Sequence, residues 1–373
     1  MGKRVLITCT DSMMKQFLEP HVINLVEHGY EVEIACSEVL GRMAEVRADL
    51  GKYVKIHQLS MQRSPLSKDN LKGYKEVKQI IDNGHFDLIW TNEPVMGVLT
   101  RLAARDARKT GAKVLYMVHG FHFYKGAPLL NWLTFYPVEK WMTRYTDKLI
   151  TINKEDFQFA RKHFSCPVFH IHGTGANSTK FHPIAIEDQM ALRKEMGFDG
   201  HIILSVGELN PNKNQKTAIL ALKEVLKRYP DTILLIAGKG EEKERLLQLA
   251  QQIGLERKTI FLGYTLQLEK YMQICDVEIT CSYREGLPIN VIEAMLCDKP
   301  VVASHNRGHD ELIQDGINGF LVDADDAKNY AEKICLIFKE NIENLKKTSR
   351  TIKSYRDIDV QNAIRNLISE ENN

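Results

Sequence analysis

The run RVLITCTDSMMKQFLEPHVINLVEHGYEVEIA, residues 4–35, decides the fold. Residues 4–10 form a short apolar strand almost at the N-terminus. An amphipathic helix over Lys15–His28 follows, Gly29 stops it, and a second strand covers Tyr30–Ala35. Apolar runs at Val54–Leu59, Phe86–Thr91, Lys113–His119 and Lys148–Ile152 repeat the theme, most of them separated by helical patterns. Strands alternating with helices predict a mostly parallel sheet with helices on both faces.

The pattern then restarts. HIILSVG (201–207), TILLIAGKG (232–240), TIFLGY (259–264), VEITCS (277–282), KPVVAS (299–304) and GFLV (319–322) are strand candidates, with helices over Lys216–Arg228 and Lys243–Gly254 among them. The reading is two Rossmann-like, doubly wound α/β domains in series, 1–178 and 179–354, joined at the Gly-, Ser- and Asn-rich GTGANSTKFHP (173–183). The tail after Asn341 reads as helical and is open to either domain; a terminal helix at about 355–373 is expected to pack back on the first. Open α/β domains put the carboxyl ends of their strands into facing loops, and a cleft between such domains is the default small-molecule site.

At 373 residues, 44% apolar and 26% charged, the chain has the length of two domains, each able to bury a core. No apolar run approaches the roughly 20 residues of a membrane span, and Val5–Cys9 is too short for a signal-peptide core. A soluble, cytoplasmic protein is expected. The seven cysteines are scattered without a CxxC pair, so reduced thiols are expected rather than a zinc site or a disulfide framework. The net charge of +2 hides an asymmetry, since residues 1–180 hold 25 Lys+Arg against 18 Asp+Glu. That reads either as ordinary surface variation or as a half that meets something anionic, such as a membrane surface. No nucleic-acid partner is expected.

The segment SYREGLPINVIEAMLCDKPVVAS (282–304) carries the chemistry. Glu285 would lie in a loop that turns at Gly286-Leu287-Pro288 and opens a helix near Ile289, with Glu293 one turn inside. A helix N-terminus has unpaired N–H groups and a partial positive charge that suit a phosphate. Two carboxylates beside it can each accept hydrogen bonds from vicinal hydroxyls, and a sugar nucleotide has that shape. Taken alone, the same residues also read as an ordinary turn and an exposed helical glutamate.

This run is similar to the E-x7-E signature of the family 4 glycosyltransferases, and the likeness extends over nearly the whole chain. HGFHF (119–123), GTGANSTKF (173–181), SVGELNPNKN (205–214), IAGKGEE (236–242), FLGY (261–264), REGLPINVIEA (284–294) and DGINGFLV (315–322) follow the family's order. The resemblance implies the GT-B fold, in which two Rossmann-like domains face each other across a cleft. It also implies transfer of a hexose or N-acetylhexosamine, with retention, from a nucleotide sugar (a UDP-sugar by the family's habit) to a lipid-linked or saccharide acceptor. The nearest likeness is to bacterial enzymes of capsule, exopolysaccharide and lipid-linked glycan synthesis, which implies work at the inner membrane face. No metal or other cofactor is implied.

Residue by residue, Glu293 would hold the ribose hydroxyls and Glu285 those of the transferred sugar. Backbone N–H groups of Leu287, Pro288's successor Ile289 and Asn290 would meet the pyrophosphate, and Lys213 would neutralise the leaving diphosphate. The base would sit near Phe261–Tyr264. Many relatives have Arg where this chain has Glu208, and Arg284 or Arg307 could supply the missing charge. His119, at the end of KVLYMVH, takes the place of a functional histidine that donates to a sugar hydroxyl or the reacting region. The acidic run DADD (323–326) is read as a helix cap rather than a metal site, and no glycine pair completes GxGxxG, which argues against a nicotinamide enzyme.

The first half would bind the acceptor. Thr10, Asp11 and Ser12 open the first helix where relatives often have a glycine pair, and could touch an acceptor phosphate. KGAPLLNWLTFYPVEKWMTRY (125–145) mixes aromatic and basic residues, which suits either a membrane interface or core packing. The rival functions are a sugar-nucleotide epimerase of the same architecture and a non-enzymatic nucleotide-binding protein.

Overall fold

Seven short strands form the first sheet: β1 (Arg4–Thr10), β2 (Glu31–Ser37), β3 (Lys55–Leu59), β4 (Leu88–Asn92), β5 (Lys113–Val118), β6 (Lys148–Thr151) and β7 (Val168–His170). All pairings are parallel, in the order β3-β2-β1-β4-β5-β6-β7. The second sheet holds β8 (Ile202–Val206), β9 (Ile233–Ala237), β10 (Thr259–Gly263), β11 (Val277–Thr280), β12 (Val301–Ser304) and β13 (Phe320–Val322). It too is parallel, in the order β10-β9-β8-β11-β12-β13. The structure is a computed structural model and describes residues 2–340, 345 and 348–369.

The chain divides into two compact units, one running to Gly175 and resuming at Ile358, the other Ala176–Asp357. Each has its own core. In the first, Leu6, Ala35, Ile89 and Val114 of the sheet pack on Val77, Ile81 and Ala103 of covering helices. In the second, Ile203, Leu234, Ile236 and Ile279 pack on Ile219, Leu222 and Ile334 on one face, and Leu204, Leu235 and Val301 on Val291, Ala294 and Met295 on the other. Central parallel strands are buried on both faces and read as continuous apolar runs, the pattern from which the sheets were expected. All seven cysteines are free thiols, six of them buried.

The first helix departs from the regular one expected over Lys15–His28. It opens as Asp11–Met13, widens to a π-helical turn at Met14–Leu18 and resumes at Glu19–Glu27. Pro20 lies just after the widened turn and has no N–H to give the carbonyl four residues back. The tail after Asn341 is likewise not one continuous helix. Its described part makes 3₁₀ turns at Thr348–Arg350 and Lys353–Tyr355, then the helix Asp357–Ser369; residues 341–344, 346–347 and 370–373 lie outside the described residues. That last helix buries Val360, Ile364 and Ile368, and Lys148 Nζ donates to its Leu367 carbonyl at 2.6 Å.

Candidate functional site

In the second unit the strand order reverses between β8 and β11. In a doubly wound sheet the crevice outside the carboxyl ends at such a point is where ligands bind. The loop leaving β8 turns at Gly207 (φ 151°). The stem of Lys213 lies so close above it that a Cβ there would come within 3.3 Å of the Lys213 Cδ and Cε. The loop leaving β11 runs through Glu285 to the helix Ile289–Leu296, which starts after Pro288. The two loops are stitched together: Tyr283 N–H donates to the Asn212 carbonyl at 2.8 Å, and Asn212 Nδ2 to the Arg284 carbonyl at 3.0 Å. Across this seam Lys213 Nζ and Glu285 Oε1 form an ion pair of 2.7 Å, their side chains only 21% and 13% exposed.

A third loop, after β12, braces this pair from below. Asn306 caps the short helix Arg307–Leu312 by accepting from Gly308 and His309 N–H, and its Nδ2 donates to the Ser282 carbonyl at 3.0 Å. His309, held neutral because burial pushes its pKa down to about 4, places Nδ1 2.7 Å from the Ser304 carbonyl. Gly308 is required by proximity, for a Cβ would stand 2.8 Å from Glu285 Cβ and 3.0 Å from Pro288 Cδ. Arg307 Nε lies 3.4 Å from the Glu285 carbonyl. The brace was not foreseen; its only trace in the sequence is the Asn-Arg-Gly run after a strand.

Of the other candidates in this unit, Leu287 and Ile289 are half-buried, Gly286 lies in the turn, and Arg284 and Tyr264 are exposed. Glu208 is exposed as well, at the rim of the β8 loop, while its carbonyl accepts from Gln215 Nε2 at 3.0 Å. Asp326 accepts from Asn329 N–H and caps Ala327–Lys339, as the DADD run suggested. Asn290 is turned inward. Its Nδ2 donates at 2.7 Å to Glu278 Oε1, an acid in the middle of β11 whose Oε2 is buried with no partner among the described residues.

Glu278 has no counterpart in the sequence reading, because an acid inside an apolar run carries no periodic signal. Burial raises its pKa to about 7, the Asn290 bond and the Lys213 charge working the other way. Glu293, half-buried on the same helix as Asn290, is raised to about 8, by burial first and then by Glu278 and Glu269. Ordinary glutamate titrates near 4.5, so between there and pH 7 to 8 the folded chain holds protons that the unfolded chain has released. The contribution of these two acids to stability therefore falls as pH rises through that window. Between pH 5 and pH 8 the wild type is expected to lose stability relative to Glu278→Gln; urea unfolding of both at the two pH values checks it, and an equal change in the two proteins would mean that Glu278 is ionised throughout.

In the first unit the order reverses between β1 and β4. Thr10 ends β1 and its hydroxyl caps the first helix through Met13 N–H. Asp11 faces inward and accepts from the N–H groups of Ser12, Val39, Leu40 and Arg42, which lower its pKa against the pull of burial; Ser12 is buried beside it. The Asp11 carboxylate thus anchors the loop after β2. His119, half-buried past the end of β5, sits 3.1 Å from Asn92 Oδ1 and is held neutral, its pKa pushed to about 4 by burial and by His21. A neutral imidazole here is a hydrogen-bonding group rather than an acid.

Two doubly wound α/β units, the second carrying a cation–carboxylate pair beside a helix start, are the parts from which GT-B glycosyltransferases are built. Residues 21–175 match the model of "Glycosyltransferase Family 4" and residues 189–356 that of "Glycosyl transferases group 1". EpsD of Bacillus subtilis (strain 168), which carries a glycosyltransferase name, is 40% identical over 340 residues, 90% of this chain and 87% of its own. The chain belongs to the family 4 glycosyltransferases. A UDP-Gal:alpha-D-GlcNAc-diphosphoundecaprenol alpha-1,3-galactosyltransferase of Escherichia coli is 25% identical, covering 75% of this chain and 73% of its own. Among solved structures, Anabaena HepE in complex with UDP superimposes with a TM-score of 0.80 at 19% identity, covering 98% of this chain and 99% of its own. Among the described residues no helix is long and apolar enough to cross a membrane.

Proposed function

We propose that the chain is a retaining, metal-independent glycosyltransferase. It moves a hexose or N-acetylhexosamine from a UDP-sugar to a lipid-linked or saccharide acceptor in bacterial surface-polysaccharide or glycan synthesis. The observation that carries the reading is the Lys213–Glu285 pair at 2.7 Å, set beside the start of the helix that bears Glu293. Each member of the pair satisfies the other's charge. When the donor arrives, Lys213 turns to the diphosphate and Glu285 is released to the hydroxyls of the transferred sugar. Glu293 takes the ribose diol, for which a carboxyl with a raised pKa can both give and accept a proton in hydrogen bonding. The N–H groups of Leu287, Ile289 and Asn290 face the pyrophosphate, Tyr264 borders the base, and Arg284 or Arg307 supplies the second cation that Glu208 does not. His119, with Thr10 and its neighbours Asp11 and Ser12, belongs to the acceptor half.

The UDP-bound state of HepE supports the donor, and the diphosphoundecaprenol named for the Escherichia coli relative supports the acceptor. The helix Leu129–Met142 supports peripheral attachment to the inner face of an anionic membrane. Trp132, Phe135 and Tyr136 pack on the aromatic cluster around Phe123, while Leu129, Leu130 and Leu133 are 72%, 68% and 66% exposed near the cations of Lys125 and Lys140. The test is incubation with labelled UDP-sugars and membrane-lipid vesicles, with and without chelator. Expected are transfer that survives chelation, a product with the donor's anomeric configuration by NMR, and protein that pellets with the lipid. Glu285→Ala should cut transfer about 100-fold or more. Sugar rearrangement with no acceptor product would make the chain an epimerase, and loss with chelator would overturn metal independence.

A further inference from the structure

Glu93, between β4 and the helix Pro94–Ala103, holds a backbone conformation that L-residues avoid, φ 64° and ψ 152°. Pro94 accounts for the extended ψ, but not for the positive φ. Strain of this kind persists only where the surroundings fix it, and it gathers at functional sites. Here the surroundings are specific: Thr10 N–H and Oγ1–H donate to the Glu93 carboxylate at 2.7 and 3.0 Å, and Arg63 lies 3.4 Å from it. Thr10 and Glu93 stand on either side of the β1–β4 reversal. Burial raises the pKa of Glu93 in spite of these donors.

Two recesses of about 280 and 190 Å³ adjoin the carboxylate, and both are lined by Glu93, Pro94, His122 and Phe135. One reaches Arg63 and the other His119. Below the roughly 300–1,000 Å³ of drug-sized sites, they suit single rings rather than a nucleotide. Their walls are mostly apolar, with Phe135 and His122 stacked at 4.6 Å. A phosphate would meet the carboxylate's charge, and a hydrocarbon chain would cover its remaining lone pairs without adding a donor to those of Thr10 and Arg63. A pyranose satisfies both surfaces, laying its C–H face on the aromatic ring and giving a hydroxyl proton to the acid.

We propose that these recesses are the acceptor subsite, that they hold the pyranose ring receiving the transferred sugar, and that Glu93 accepts a hydrogen bond from one of its hydroxyls. The assignment rests on the glycosyltransferase reading and adds to it the acceptor's chemical class and the residue that grips it.

The test is saturation-transfer NMR on the full chain with octyl glycosides of glucose, galactose and N-acetylglucosamine, with UDP titrated separately. At least one glycoside should bind. Glu93→Gln should weaken it about tenfold, since a charge-assisted hydrogen bond becomes a neutral one, while UDP binding is unchanged. Arg63→Ala, at a side chain 49% exposed, should weaken the glycoside severalfold without disturbing the fold. The subsite is overturned if no glycoside binds, or if one binds equally well to both variants. Failure of UDP to bind would count instead against the transferase reading, so the two are judged separately.

Discussion

Lys213→Ala is expected to lower kcat by about 10²–10³, with a smaller rise in KM for the donor, in a protein that remains folded. Departure of a nucleoside diphosphate concentrates negative charge on the leaving oxygen, and a fixed cation stabilises that state more than the ground state. Removing one preorganised group of this kind costs about 2.7–4 kcal/mol of transition-state stabilisation. The stem of Lys213 is set over Gly207, so that only its ammonium end has to turn from Glu285, 2.7 Å away, to the diphosphate. Glu285→Gln, which keeps the shape and drops the charge, should also slow the reaction, through the transferred sugar. Because the two side chains touch, the double variant should lose less than the single losses predict when added. Lys213→Arg should recover part of the rate, since the charge returns in a different shape. Initial rates against donor concentration decide the matter; a Lys213→Ala enzyme with unchanged kcat would leave the pair a structural tie and remove the proposed role.

The two sheets were legible because a parallel strand buried on both faces is an uninterrupted apolar word, and such words recur in the sequence at helix-long intervals. The Glu285–Glu293 spacing was legible for a related reason, since a turn of Gly and Pro followed by a helical pattern is local. What stayed hidden depends on neighbours distant in sequence. Glu278 lies within β11 and finds Asn290 across a loop. Glu93 shows nothing in its own sequence surroundings to announce a positive φ, and Thr10, which donates to its carboxylate, lies 83 positions earlier. For residues 125–145 the sequence left two readings; core packing holds for the aromatic side of the helix, while the leucine side stays exposed. An apolar pattern on two faces gives no single hydrophobic direction, so amphipathicity could not choose between them.

Glu139→Ala is expected to destabilise the first unit by about 3–5 kcal/mol, the cost of leaving a buried charge without its partner. On the helix Leu129–Met142, whose other buried residue is Met142, Glu139 is 4% exposed. It accepts from Arg101 Nη2 at 2.8 Å and from Tyr116 Oη at 2.9 Å. Arg101 is fully buried, stacks 3.9 Å above the Tyr116 ring and also donates to the Gly97 carbonyl. Deleting the carboxylate strands this guanidinium, whereas Arg101→Met with Glu139→Leu removes both charges together and should cost far less than the single change. The protein's three tryptophans, 90, 132 and 141, all lie in the first unit, so their fluorescence during urea unfolding follows that unit alone. The helix that exposes leucines to its surroundings is thus fastened from beneath by a charge network as well as by its aromatic side chains. If the Glu139→Ala protein unfolds at the wild-type urea midpoint, that network carries none of the helix's attachment, and Trp132, Phe135 and Tyr136 must hold it unaided.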